Sequence, residues 1–87
     1  MQARPVDPRD TRWEVDRPTY RVYFWSRRET PDGAPAPASD EWEVSEADVD
    51  EVLTWARSAA RGRSFVVYAC ASDSEGLGLV RLLGSAP

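Results

Sequence analysis

The chain contains no histidine, lysine, isoleucine or asparagine among its 87 residues, and only one cysteine. Each absence excludes something. Without histidine, the commonest general base and the commonest metal ligand are both missing. A lone thiol, Cys70, cannot form an internal disulfide and fits a reducing, cytoplasmic setting. No apolar run approaches the roughly 20 residues needed to span a bilayer. The opening Met-Gln-Ala-Arg-Pro-Val-Asp-Pro-Arg-Asp has no apolar core that would act as a signal peptide or anchor. All eleven basic residues are arginine. With Lys, Ile and Asn absent and Ala, Gly and Pro well represented, this reflects GC-rich coding rather than selection for arginine chemistry.

What is present belongs to a globular chain, with 41% hydrophobic and 30% charged residues. A chain of this length makes one domain and buries roughly 60–65% of its unfolded surface, so partner contacts bear on folding as well as on function. The charge is segregated. Residues 1–28 carry seven Arg against four acids, residues 29–51 carry nine acids and no base, and residues 52–87 carry four Arg against two acids. The net charge of −4 disfavours a polyanionic partner.

Two segments are apolar on both strand faces. Residues 19–26 read Thr-Tyr-Arg-Val-Tyr-Phe-Trp-Ser, and residues 64–71 read Ser-Phe-Val-Val-Tyr-Ala-Cys-Ala. Side chains alternate along a strand, so Tyr20, Val22 and Phe24 share one face while Tyr23 and Trp25 share the other. Phe65, Val67 and Ala69 likewise oppose Val66, Tyr68 and Cys70. The pattern further predicts a short strand at 41–44, with Trp42 and Val44 inward, and a last strand at 78–83 after a turn-rich connection.

One helix is predicted, over 46–61. Ser45 and Asp48 are spaced as a capping box, Val44 and Val49 as a hydrophobic staple, and Gly62 as the stop. Val49, Val52, Leu53, Ala56 and Ala60 form its apolar stripe, with Ala59 at the edge and Trp55 on the shoulder. Residues 1–18 read as an irregular arm carrying Trp13 and Val15. Residues 19–87 read as a single domain with a Pro/Ala-rich loop at 29–40. The expected fold is α+β, in the order β-β-α-β-β, with a small, mainly antiparallel sheet and one helix on one face. One helix covers one face, which leaves the aromatic second face to be covered by a partner, by a second copy, or by the residue 1–18 arm in a plain monomer.

The motifs that carry chemistry are weak. Arg61-Gly-Arg-Ser-Phe-Val-Val-Tyr68 partly matches the signature of an RNA-binding sheet, but Arg63 stands where a base-stacking aromatic belongs and Ser64 where a smaller residue belongs. The preceding segment is a helix where that architecture has a strand, so no nucleic-acid partner is expected. Cys70 has no histidine or lysine to activate it. Asp73, Glu75, Asp40, Glu41 and Glu43 lack the spacing of a calcium loop. No catalytic residue, cofactor or metal ligand is assigned.

Three stretches, Tyr20-Arg-Val-Tyr-Phe-Trp25, Ala47-Asp-Val-Asp-Glu-Val-Leu-Thr-Trp-Ala56 and Gly78-Leu-Val-Arg-Leu-Leu83, resemble short uncharacterised proteins of high-GC Gram-positive bacteria. The three stretches make up about a quarter of the chain. It implies a recurring domain and transfers no activity and no site residue.

The reading is a small non-enzymatic interaction domain that forms a homodimer or binds a partner protein through its aromatic sheet face. Trp13, Tyr23, Trp25, Trp55 and Tyr68 are its contact candidates. The rival reading is a small-molecule binder or small enzyme with a pocket between the sheet and the N-terminal arm. A cavity lined by Tyr23, Trp25 and Tyr68 would favour that rival.

Overall fold

Five elements follow one another in a computed structural model that describes residues 1–11, 17–29 and 31–85. They are β1 (Tyr20–Glu29), β2 (Pro35–Val44), α1 (Val49–Ala60), β3 (Ser64–Asp73) and β4 (Gly76–Leu83). The strands form one antiparallel sheet in the order β2-β1-β3-β4. The α+β fold and its β-β-α-β-β order are those expected. The two strands richest in β-branched and aromatic residues, β1 and β3, take the centre. β2 and β3 run parallel on either side of β1, and α1 is the crossover between them. Residues 1–9 and 11 are exposed, and one turn of 3-10 helix runs over Pro8–Asp10.

The core lies between α1 and the central strands. Tyr20, Val22 and Phe24 of β1, Val67 of β3, and Val52, Ala56 and Ala60 of α1 are all buried in it. The alanines at i and i+4 present no bulk, so the helix sits close to the sheet. Burying each large side chain here contributes about 1.5–3 kcal/mol. Trp55 closes the core edge, packing edge-on against Phe24 at 5.6 Å and against Trp42 at 5.8 Å. Trp42 points inward as expected, yet it stands on an edge strand and stays 49% exposed.

The helix starts three residues later than Ser45 predicts. Glu46 has φ 56°, a left-handed conformation that no helical first turn accepts. Asp48 is the N-cap instead, and it forms a capping box with Glu51, whose Oε1 accepts the Asp48 N–H at 3.3 Å. Val49 thereby becomes the first helical residue and is exposed rather than part of the buried stripe. The helix ends as expected, with Arg61 as C-cap and Gly62 at φ 84°. Arg63 then folds back over the helix end. Its Nε donates to the Ala60 carbonyl at 2.9 Å and its Nη2 to the Ala59 carbonyl at 3.1 Å, satisfying carbonyls that the helix leaves open.

The second difference lies at 29–40. Most of this segment is ladder, because β1 runs to Glu29 and β2 begins at Pro35. One hydrogen bond explains how prolines enter a strand. The Cys70 N–H donates to the Thr19 carbonyl at 2.9 Å, in line with the β1–β3 register. Backbone groups alternate in direction along an antiparallel strand. The odd-numbered residues of β1 therefore bond β3, and the even-numbered ones bond β2. Across the β1–β2 register, the odd-numbered residues of β2 face away from the sheet. Pro35 and Pro37 occupy two of these outward positions, where no N–H is required.

Candidate interaction surface

The face of the sheet opposite α1 carries no described helix or strand. At its centre Tyr23 of β1 and Tyr68 of β3 meet with ring centroids 5.3 Å apart. Val66 lies directly across the ladder from Tyr23 and is fully buried. Trp25 continues the β1 row and is half-buried. Its indole Nε1 is buried with no hydrogen-bond partner among the described residues.

The rim of this face is charged. Arg21 lies 3.7 Å from Glu43, its partner on β2. The Arg21 guanidinium is held above its ordinary pKa, chiefly by a side-chain hydrogen bond with Tyr23. Glu41 stands directly opposite Tyr23, and Arg81 of β4 stands opposite Tyr68. One row across the sheet thus reads Glu43, Arg21, Tyr68 and Arg81, and the next reads Glu41, Tyr23 and Val66.

The apolar surface does not stop at the aromatics. Every residue of β4 is exposed, because α1 packs over β1 and β3 and stops short of this strand. Leu77, Leu79, Val80, Leu82 and Leu83 are 37–56% exposed. Leu77 and Leu79 lie on the second face beside Ser72 and Cys70, and Val80 lies on the helix side beside Ala69. A register shift at Val67/Tyr68 sets Leu82 apart from the regular alternation.

The structure therefore brings Tyr23, Trp25 and Tyr68 onto one surface. It puts Trp55 on the opposite side, in the core edge. Trp13 lies outside the described residues. The leucines of β4 were missed as contact candidates. Their signal was the composition of 76–83, which contains no proline, no acid and a single arginine.

Among the described residues, the larger hollows do not gather the three aromatics. One, about 640 Å³, is an open groove at one end of the sheet, lined by Arg17, Thr19, Glu43, Cys70, Ser72 and Leu77 among others. Trp25 borders a second of about 480 Å³, beside Arg27, Pro37 and Arg63. Tyr23 borders a shallow third of about 280 Å³, with Arg21, Glu41, Trp42 and Glu43. Among the described residues, no group of three or more His, Cys, Asp or Glu is placed to hold a metal ion. No helix among them is long and apolar enough to cross a membrane. No family model, no curated protein and no solved structure matches the chain.

Proposed function

We propose that this chain is a non-enzymatic interaction domain that self-associates through the surface α1 leaves uncovered, strand β4 and the aromatic sheet face beside it. The observation that carries this reading is the exposed apolar strand β4, continuous with the Tyr23–Tyr68 face. The area supports it. The chain exposes 7254 Å², whereas a compact monomer of 9.8 kDa exposes about 5,200 Å². Residues 1–11 contribute part of that excess and β4 another part. Tyrosine and tryptophan suit such a surface, since each combines a large apolar area with a polar tip.

The rival readings have less behind them. A small-molecule site needs a concave, mostly apolar cavity, and among the described residues no hollow gathers Tyr23, Trp25 and Tyr68. A nucleic-acid face needs a cationic track beside its stacking residues, and Glu41 stands opposite Tyr23 instead.

If association buries this surface, it stabilises the fold by mass action, by about 2.7 kcal/mol at a hundredfold excess over the dissociation constant. The urea midpoint of the wild type then rises with protein concentration. Leu79→Glu places a charge in the contact surface on β4 and flattens that dependence while the monomer stays folded. A wild-type midpoint that does not move over a hundredfold change in concentration contradicts the reading.

A further inference from the structure

We infer that the partner is a second copy of this chain, joined through β4 to the β4 of the other copy, antiparallel, about a two-fold axis at Leu79. The inference rests on the self-association reading and adds the edge and the register.

The two edges of the sheet are built differently. On β2 the outward backbone positions are Pro35, Pro37, Ser39, Glu41 and Glu43. Two of these have no N–H to offer and two carry charge, which are the usual means of blocking edge pairing. On β4 nothing blocks it. Because the Cys70 N–H bonds Thr19 on β1, Cys70 does not bond β4, and its opposite residue Leu79 turns its N–H and carbonyl away from the sheet. By the same alternation Leu77 and Arg81 face outward too, while Gly78 and Val80 bond β3. The open edge thus presents donors and acceptors at Leu77, Leu79 and Arg81, flanked by apolar side chains. An exposed, apolar, unblocked edge is a template for another strand.

The sequence of β4 selects the second copy and the axis. With the axis at Leu79, Leu79 pairs with the partner subunit's Leu79, and Arg81 pairs with the partner subunit's Leu77. All the outward groups are then used, in about six hydrogen bonds, and the two arginines lie apart. An axis at Arg81 sets Arg81 against the partner subunit's Arg81, a like-charge pair directly across the ladder. An axis at Leu77 runs Leu79 into the partner subunit's turn at Glu75. On the second face, the chosen register makes one row of Cys70, Leu79, the partner's Leu79 and the partner's Cys70. The second faces of both copies then join into one surface. A standard interface takes about 800 Å² from each partner, well within the excess that the single chain exposes.

Amide exchange on the full chain reads this directly. In a monomer the Leu77, Leu79 and Arg81 amides face solvent and exchange fast, while Gly78 and Val80 are protected by β3. Edge pairing protects all five, and slows the three outward amides about tenfold or more between micromolar and millimolar protein. Leu79→Pro removes a donor that β3 does not use, so the fold persists by circular dichroism and the dimer is lost. Leu79→Lys, which keeps the N–H, weakens the dimer without abolishing the alternation. A dimer whose outward amides stay fast places the interface elsewhere and overturns this inference alone. A monomer with fast outward amides overturns the self-association reading as well. Protection that is independent of concentration in a monomer assigns the edge to a segment of the same chain and also overturns the inference.

Discussion

Replacing Arg63 by alanine removes a tie that joins the helix end to the sheet. Its guanidinium donates to the Ala59 and Ala60 carbonyls at 3.1 and 2.9 Å, lies 3.5 Å from the Asp40 carboxylate on β2, and sits 4.8 Å from the centroid of the Phe24 ring. Hydrogen bonds from a charged donor are worth about 1.5–3 kcal/mol each when buried. The side chain is 30% exposed, so about 1 kcal/mol each is the proper figure here. The Asp40 pair, half-exposed, adds about 0–1 kcal/mol, and the stacking on Phe24 about 0.5–1 kcal/mol. Arg63→Ala should therefore cost about 2–4 kcal/mol, out of a total of about 4–13 kcal/mol for a chain of this length. Urea unfolding, at a fixed protein concentration and with an unchanged slope, measures it. Arg63→Lys should fall between, because one ammonium cannot reproduce the planar fork across two carbonyls. Asp40→Ala should cost less than about 1 kcal/mol. The reasoning fails if Arg63→Ala costs under about 1 kcal/mol, or if Asp40→Ala matches it.

Two further predictions concern backbone geometry. Asp48→Ala should cost about 1 kcal/mol, and Ser45→Ala should leave the urea midpoint within about 0.5 kcal/mol of wild type, since the cap is at Asp48. Gly84 has φ 86°, and a Cβ there would run into the Phe65 carbonyl, whereas Gly33 at φ 83° has open space around it. Gly33→Ala should cost only the left-handed penalty of about 1 kcal/mol, and thermal unfolding should show Gly84→Ala to be clearly the worse of the two.

The parts of the fold that rest on local pattern were legible in the sequence. The alternation of Tyr20, Val22 and Phe24 against Tyr23 and Trp25 gives the two faces of β1 correctly, and the 52/56/60 spacing gives the buried stripe of α1. The helix start was ambiguous because two capping boxes overlap, Ser45 with Asp48 and Asp48 with Glu51. The glutamate at N3 of the second is the stronger signal, and the left-handed Glu46 decides between them. Prolines 35 and 37 argued for a loop because a proline in a strand is tolerated only where its nitrogen faces outward, and that depends on strand order. Strand order also hid β4, since Leu77 to Leu83 read equally well as a central strand and only the crossover over β1 puts them at an edge. Arg63 looked like a failed stacking residue. Its position just past Gly62, where a cation meets the negative end of a helix, was the available sign of its structural role.

Sedimentation equilibrium of the wild-type chain, from micromolar to millimolar, tests the central claim most directly. If β4 and the uncovered surface beside it join two copies, the mass rises from 9.8 kDa to about twice that value, and Leu79→Pro remains at the lower one. A wild type that stays at the monomer mass throughout contradicts the account.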